Sequence, residues 1–422
     1  MLIAAESVIS AFTYPFFSLA LDKHDLPSWL IGLNASLAGA GILFVGPFLP
    51  RLMSALGLAR LAAVLFVLSF LCFAAILTAD NVVVWFAARF VMGACFAALW
   101  ATTEIWLNGI VDDRRRGRVL ALAMVLYTSA QFVGPLMVSA TGVSGSLPFL
   151  AAMLPLAIGA VIALSIRDDT VIGPAMKTKD DSRFGFAQAF AAARTLIIAS
   201  FVIGLVSIAI QGLLPLFALD HGLSDAKASQ LVAIFGLGEV TLVLAVGLLA
   251  DQFGRRQLMR LSAVPTLLIA AALPFAANSV PLLAVVLFFA GGILGGIYTL
   301  GLILIGQDFR GRRLAVVSTG FVMAYSAGSM IGSTPIGYLI DVFGSDALIA
   351  AVTVSLVVLA GCVFVRSPSA TDSAGTQSAR SDDPASREDA KREVAGVTAR
   401  ERRSRRKVTS SPAVLPRKTS TA

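Results

Sequence analysis

Long apolar runs alternate with short polar stretches along the chain, from its first residue to about residue 365. A run of roughly 20 apolar residues matches the hydrocarbon thickness of a bilayer and predicts one membrane-spanning helix. Twelve such runs can be marked, at 2–21, 29–50, 61–78, 83–110, 119–141, 147–166, 196–218, 228–250, 258–277, 281–305, 314–339 and 346–365. The pattern predicts an all-α integral membrane protein with twelve transmembrane helices.

The composition agrees with this pattern and argues against two other classes of protein. Of the 422 residues, 57% are hydrophobic and 14% are charged. Soluble domains have about 25% charged residues, so this chain is too apolar for one. A transmembrane β-barrel would show short segments of alternating polarity, whereas these runs are long and continuously apolar.

The net charge of +8 comes mostly from the end of the chain. Residues 366–422 hold 13 Lys and Arg against 7 Asp and Glu, and residues 1–365 hold 20 against 18. The body is therefore nearly neutral, and we expect no nucleic-acid partner. The polar tail lacks apolar periodicity and is predicted to be disordered. Its basic run at 400–407 either touches anionic lipid headgroups or remains solvated.

The reactive side chains do not form a catalytic or metal-binding set. Cys72, Cys95 and Cys362 lie inside apolar runs, and His24 and His221 lie in loops. This placement predicts neither a disulfide framework nor a metal or cofactor site. No His, Cys or Ser constellation points to an enzyme, and no phosphate-cradling loop points to an ATP-driven pump.

The basic residues of the body lie almost entirely on one side of the predicted membrane. Seventeen of the 20 follow even-numbered runs or belong to the central linker 167–195, while Lys23 and Lys227 lie on the other side. Such asymmetry marks the cytoplasmic side, so both termini are expected in the cytoplasm of a cell with a bacterial-type inner membrane. Residues 1–21 have no Lys or Arg before the apolar run and are interpreted as a retained span, not a signal peptide.

The chain contains an internal repeat with an offset of 198 residues. Leu21-Asp22 aligns with Leu219-Asp220, Gly93 with Gly291, Tyr127 with Tyr325 and Gly134 with Gly332. Duplicated helical halves with a site at their interface are typical of secondary transporters. We expect an N-terminal six-helix bundle at 1–166, a cytoplasmic linker at 167–195 with an amphipathic piece near 184–193, a C-terminal bundle at 196–365 and a tail at 366–422.

A loop motif begins within the last residues of the eighth apolar run. It reads Gly247-x-x-x-Asp251-x-x-Gly254-Arg255-Arg256 and resembles the loop signature of the major facilitator superfamily. In such a loop the aspartate can face the N-terminal end of a neighbouring helix, while the arginines pair with carboxylates or headgroups. The corresponding loop of the first half has proline, Pro50, at the place of the aspartate.

Three further features strengthen the resemblance. Arg89-x-x-x-Gly93 is similar to the Arg-bearing motif in the fourth helix of the superfamily, and Gly134-Pro135 partly resembles its antiporter motif. The stretch TEIWLN at 103–108, followed by RRRGRVLAL at 114–122, resembles a little-characterised bacterial branch of small-solute carriers. The resemblance implies two pseudo-symmetric six-helix bundles around a central cavity, with the third and sixth helix of each half at the periphery.

Ionisable side chains within membrane spans usually face the interior of the bundle. Here they are Glu6, Arg89, Glu104 and Glu239, apart from Arg260 at the cytoplasmic end of the ninth run. At 100° per residue, Arg89, Gly93, Trp100, Glu104 and Asn108 share one face of the fourth run, and the first and fifth runs carry similar polar stripes. The predicted substrate and proton pathway comprises Glu6, Tyr14, Arg89, Trp100, Glu104, Asn108, Tyr127, Gln131, Glu239 and Tyr325.

Each of these residues also allows a purely structural explanation. Glu6 and Glu104 either share a proton, or Glu6 is hydrated at the interface and Glu104 pairs with a loop arginine such as Arg114. Glu239, near the middle of its run, has either a functional role or a hydrogen bond to a neighbouring helix. For Arg89 the choices are a proton relay, an anion contact or a bond to the first or second helix.

The aromatic and amide candidates are open to the same doubt. Trp100 is either a packing residue or a platform for the solute. Tyr127, Gln131 and Tyr325 either contact solute or form interhelical hydrogen bonds.

The sequence therefore predicts a monomeric secondary transporter of a small organic solute, proton-coupled and leaning toward efflux. Uptake of a polar nutrient, coupling to sodium, and a non-transporting membrane sensor with the same fold are the alternatives.

Overall fold

The computed structural model describes residues 2–79, 81–110, 113–166 and 186–364, which belong to one compact unit. All regular secondary structure in these ranges is α-helical. The helices are α1 (Leu2–Asp22), α2 (Ser28–Val45), α3 (Leu49–Leu56), α4 (Leu58–Thr78), α5 (Val82–Ile110), α6 (Asp113–Thr141), α7 (Leu147–Ser165), α8 (Phe186–Asp220), α9 (Asp225–Phe253), α10 (Arg255–Leu261), α11 (Ala263–Ala276), α12 (Val280–Asp308), α13 (Gly311–Phe343) and α14 (Asp346–Phe364).

Ten helical stretches of the described chain are long and apolar enough to cross a membrane. One of them combines α10 and α11, which are interrupted at Ser262. The predicted spans 119–141 and 314–339 lie within α6 and α13, two long helices outside these ten. The multi-pass, all-helical prediction is confirmed, whereas the number twelve stays a prediction.

Two predicted boundaries differ from the structure. The run 29–50 is not one helix, because α2 ends at Val45 and the short helix α3 begins at Leu49. The dipeptide Gly46-Pro47 separates them, since proline cannot supply the N–H that a continuing helix needs. The amphipathic piece expected near 184–193 is, from Phe186 onward, continuous with α8 across a kink at Ala193. Residues 167–185 of the predicted linker and the whole predicted tail, 366–422, lie outside the described residues.

The backbone repeats its turns between the two halves of the chain. Of the seven described positions with positive φ, six form pairs separated by 197–199 residues. These pairs are Asp25 with Gly222, Gly57 with Gly254, and Gly145 with Gly344. Positive φ is costly for most residues, so its recurrence at matching turns supports a duplicated fold.

The glycines aligned by sequence lie at matching helix crossings. A methyl group on Gly93 of α5 would lie 2.4 Å from the carbonyl oxygen of Ala38 on α2. On Gly291 of α12 it would lie 1.9 Å from the carbonyl oxygen of Phe235 on α9. Gly134 lets α6 approach α1, and Gly332 lets α13 approach α8. Small residues allow such close approach of helices in membranes, and both halves use it at the same crossings.

We expect Gly291→Ala to destabilise the protein. The added methyl group would meet backbone, which cannot rotate away, and overpacking of this kind costs about 1–3 kcal/mol. Thermal unfolding of the purified protein in detergent should show a lower midpoint. The matched control is Gly361→Ala, whose added methyl group would have no heavy atom within 4 Å. Equal unfolding midpoints for the two variants would contradict this packing.

Candidate solute site

One end of the bundle joins the halves of the chain across their interface. We call it the far end, and it contains the turns at 23–27 and 221–224. The opposite end contains Leu2 and Phe364 and is called the terminal end. At the far end, the carboxylate of Asp341 on α13 accepts hydrogen bonds from the N–H groups of Ser28, at 2.7 Å, and Trp29, at 2.9 Å. The first N–H groups of a helix lack partners within it, so Asp341 caps α2 from the other half.

Asp341 was not among the sequence-predicted candidates, although a signal for it was present. It lies in Gly337-x-x-x-Asp341-x-x-Gly344, which has the spacing of the loop motif at 247–254. A methyl group on Gly337 would lie 2.3 Å from the carbonyl oxygen of Ser28, so this glycine brings α13 against α2. In this motif, Gly337 allows α13 to approach α2 closely, and Asp341 caps the start of α2 at the same crossing.

Further contacts extend this far-end junction toward the middle of the bundle. Lys23 pairs with Asp225 at 2.6 Å between nitrogen and oxygen. Deeper inside, the amide of Gln230 donates to the hydroxyl of Ser139 at 3.1 Å. The hydroxyls of Ser36 and Thr334 lie 3.0 Å apart. These hydrogen bonds and this ion pair lie in the far portions of their helices and join the halves there.

Arg89 is packed against α1. Its side chain is 1% exposed, and Nη1 donates a hydrogen bond to the hydroxyl of Thr13. The guanidinium carbon lies 4.4 Å from the ring centroid of Tyr14 and 5.3 Å from that of Phe17. Both distances are within the range of a cation–π interaction. The geometry favours the structural bond to the first helix among the three roles considered.

The predicted polar face of the fourth run is not one continuous cavity wall. Gly93 packs against α2, and Arg89 is covered by α1. Trp100 is partly accessible and lies beside Tyr127 of α6. The side chains of Glu104 and Asn108 lie outside the described residues, so proton sharing between Glu6 and Glu104 stays a prediction.

Glu6 is a buried residue of α1. Its side chain is 5% exposed and accepts a hydrogen bond from the hydroxyl of Ser7 at 2.9 Å. Such burial argues against a hydrated position at the membrane interface.

Glu239 of α9 lies where α9 crosses α12. Gly291 of α12 packs against the backbone of Phe235, and Gly295, four residues further along α12, packs against the side chain of Glu239. A methyl group on Gly295 would lie 2.8 Å from Cγ of Glu239. The side chain is nevertheless partly accessible.

Glu239 lies near tyrosines from both halves of the chain. It is within electrostatic range of the hydroxyls of Tyr127 on α6 and Tyr325 on α13. These two helices belong to different halves of the chain. Gly236, three residues before Glu239 on α9, packs against the backbone of Gln131 on α6, so Glu239 lies beside the interface between the halves.

Tyr127 and Tyr325 each belong to an aromatic pair. The ring centroids of Trp100 and Tyr127 lie 4.4 Å apart, and those of Tyr298 and Tyr325 lie 5.4 Å apart. All four side chains are partly accessible. Trp100 precedes Tyr298 by 198 residues, and Tyr127 precedes Tyr325 by the same number. The duplication thus places equivalent aromatic pairs on α5 and α6 and on α12 and α13.

Tyr298 is a site residue that sequence reasoning missed. Its neighbours along α12 are almost all apolar, so no polar stripe marks it. The offset of 198 residues from Trp100 was the available signal. Gln131, which was predicted, lies where α6 and α9 cross. Its backbone carbonyl oxygen would be 2.2 Å from a methyl group on Gly236.

The loop motif forms the turn between α9 and α10 at the terminal end. Gly254 adopts a φ of 82° at this turn, and Arg255 and Arg256 begin α10. Arg256 forms an ion pair with Asp308 at the end of α12. Gly247 and Asp251 are in α9, and the side chain of Asp251 lies outside the described residues.

Comparison with known protein families identifies the family to which this chain belongs. The model of the Major Facilitator Superfamily matches residues 1–224 and again residues 196–415. The chain belongs to the Major Facilitator Superfamily. The predicted resemblance and the predicted fold class are confirmed, and the protein is a multi-pass membrane protein of a transporter superfamily.

Its relatives include bacterial proteins described as uncharacterized MFS-type transporters. It is 24% identical over 360 residues to the uncharacterized MFS-type transporter YfkF of Bacillus subtilis (strain 168), covering 84% of this chain and 91% of that one. It is 26% identical over 336 residues to the uncharacterized MFS-type transporter YcaD of Salmonella heidelberg (strain SL476), covering 78% and 85%.

Solved structures of the superfamily show the same fold. A D-xylose-proton symporter matches with a TM-score of 0.71 at 14% identity, covering 87% of this chain and 97% of that chain. A bacterial homologue of the human lysosomal transporter Spinster, in an inward-facing and unoccupied conformation, matches with a TM-score of 0.68 at 16% identity, covering 86% and 94%.

Proposed function

We propose that this protein is a monomeric, proton-coupled secondary transporter that exports a small organic solute across the inner membrane. The observation that carries the proposal is Glu239, a partly accessible carboxyl between the two halves and beside both aromatic pairs. A carboxyl in a membrane interior is expensive and marks a substrate or ion pathway. It can bind a proton in one conformation and release it in another.

The far-end contacts supply the conformational part of this proposal. With both termini in the cytoplasm, as the distribution of basic residues predicts, the far end faces outward and is closed by Asp341 and Lys23. Solute then enters from the cytoplasm and reaches the space around Glu239. Separation of the far-end contacts, as the halves rock, opens the path to the outside.

Export is favoured over uptake by the lining of the site. Aromatic rings dominate it, and the basic group Arg89 is covered by Tyr14 and Phe17. A polar nutrient would need several exposed hydrogen-bonding groups to replace its hydration. Gly134-Pro135, the partial antiporter motif, lies on α6 at its crossing with α1.

The direct test uses the purified full-length protein in proteoliposomes loaded with a pH-sensitive dye. A panel of amphipathic toxicants and polar nutrients is added with and without a pH gradient. We expect solute-dependent proton movement with members of the first group. Solute movement that follows a sodium gradient and leaves the dye signal unchanged would overturn proton coupling.

Direction is tested in cells that lack the protein. Export predicts a raised susceptibility to the transported toxicant. Unchanged susceptibility together with lost growth on one nutrient would establish uptake instead.

A further inference from the structure

The space around Glu239 contains most of the tyrosines of the chain. Three of the five tyrosines lie near one another there, namely Tyr127, Tyr298 and Tyr325. Trp100 joins them through its contact with Tyr127. The Trp and Tyr residues of membrane proteins are enriched at the two interfaces with water. Their concentration inside the bundle therefore suggests a ligand-binding role.

We propose that the solute is an organic cation with a flat or aromatic apolar body, held between Trp100–Tyr127 and Tyr298–Tyr325 and paired with Glu239. The inference rests on the proposed transport function and names its substrate class. Each pair offers ring faces from one half of the chain, and the two pairs are related by the internal repeat. A solute between them is contacted from both sides.

The aromatic geometry suits such a solute. Tyr298 and Tyr325 meet edge to face, with an interplanar angle of 70°, and Trp100 and Tyr127 are tilted by 51°. Tilted pairs form the corner of a box, and all four residues are partly accessible. Tyr298 also packs against Phe321, with 5.0 Å between the ring centroids. Ring faces carry negative electrostatic potential, so they attract organic cations as well as apolar rings.

The charges of the site point to the same class. Glu239 is partly accessible, whereas Arg89 is 1% exposed and held by Thr13 and Tyr14 of α1. Two of the guanidinium nitrogens, Nε and Nη2, lack hydrogen-bond acceptors among the described residues. A bound anion would satisfy them, but Tyr14 and Phe17 lie over the guanidinium group. A solute in the aromatic box therefore meets the carboxyl of Glu239 first.

The position of Glu239 relative to the box follows from α12. Its side chain passes α12 at Gly295, and Tyr298 is three residues further along the same helix. Residues three apart are neighbours on a helix surface. The carboxyl and the ring of Tyr298 thus flank the same point, where the positive group of the solute would lie.

Two ions of equal shape and opposite charge test the inference. Tetraphenylphosphonium and tetraphenylborate are titrated by calorimetry into the purified full-length protein in lipid nanodiscs, with empty nanodiscs as the blank. We expect saturable binding of the phosphonium and none of the borate. Equal or tighter binding of the borate would overturn the inference in favour of an anion site at Arg89, and absence of phosphonium binding would also overturn it.

Variants locate the binding in the box. Tyr298→Ala should weaken phosphonium binding by about 5-fold or more, and Tyr298→Phe, which keeps the ring, by less than about 2-fold. Glu239→Gln should weaken it by roughly 10-fold, because the compensating charge is lost. The matched control is Tyr338→Ala, since Tyr338 is 61% exposed on the outside of α13. Equal affinity for wild type, Tyr298→Ala and Glu239→Gln would overturn the assignment.

Failure of this inference is distinguishable from failure of the proposed function. Phosphonium binding with the expected variant pattern, but without proton movement in proteoliposomes, would keep the cation site and remove the transport proposal. Proton-coupled movement of a neutral or anionic solute, without phosphonium binding, would keep transport and remove the cation site.

Discussion

Glu239→Gln is expected to abolish solute movement driven by a pH gradient. Glutamine keeps the shape of the side chain beside Gly295 but can neither bind nor release a proton. We expect the gradient-driven rate to fall at least about 100-fold, the scale seen when a positioned proton-transfer group is removed. Exchange of solute at equal pH on both sides, measured at saturating solute, should persist.

The rates are measured in proteoliposomes containing equal amounts of each variant. The control is Asp25→Asn, which makes the same carboxyl-to-amide change in an exposed turn at the far end. Asn tolerates the φ of 56° at this position, so the turn should be preserved. If Glu239→Gln still accumulates solute under a pH gradient at the wild-type rate, Glu239 is not the coupling group.

Asp341→Ala is expected to shift the protein toward a conformation that is open at the far end. The substitution removes both hydrogen bonds to the start of α2, which join the two halves. Loss of a capping carboxylate costs about 0.5–2 kcal/mol. Since 1.4 kcal/mol corresponds to a factor of ten, the open-to-closed ratio should rise roughly 2- to 30-fold.

The shift can be measured as a distance between the halves. Cysteines replace Ser146 and Asn278, two exposed residues in far-end turns, after replacement of Cys72, Cys95 and Cys362. Spin labels on them report the distance distribution by double electron–electron resonance. We expect Asp341→Ala to increase a longer-distance population.

The control for this experiment is Asp346→Asn. Asp346 is also at the far end, but its ion-pair partner, His221, belongs to the same half of the chain. Identical distance distributions for Asp341→Ala and Asp346→Asn would show that the cap of α2 does not hold the far end closed.

The helical framework was predictable because length and apolarity decide which segments enter a bilayer. The ends of the runs 2–21 and 147–166 were predicted to within one residue, since they correspond to α1 (Leu2–Asp22) and α7 (Leu147–Ser165). Helix ends were not predictable where the apolar run continued through a break. The run 29–50 contains Gly46-Pro47, and its apolar composition hid the end of α2.

The site was predictable only in part, because periodicity gives the face of a helix but not the neighbour of that face. The face of Arg89 was identified, yet its contact with Thr13 depends on how α5 approaches α1. Glu239 was identified as an unusual intramembrane carboxyl. Its proximity to Tyr127 and Tyr325 could not be predicted, because it depends on how α9 packs against α6 of the other half and against its own half.

The residues missed by sequence reasoning were those without an unusual local context. Asp341 looks like an ordinary polar residue near the end of a span, and Tyr298 looks like a packing residue among leucines and glycines. Both become conspicuous only when the two halves, or the two copies of one spacing, are compared with each other.

The equivalence of the two aromatic pairs has an energetic consequence for the transport cycle. A ligand shifts a conformational equilibrium only by the difference between its affinities for the two states. A solute held by like surfaces from both halves meets similar surroundings whichever end is open, so its binding adds little preference for either state. Under the proposed function, the bias between the states then depends on groups that the duplication does not repeat, among them the carboxyl of Glu239 and the proton that it would bind.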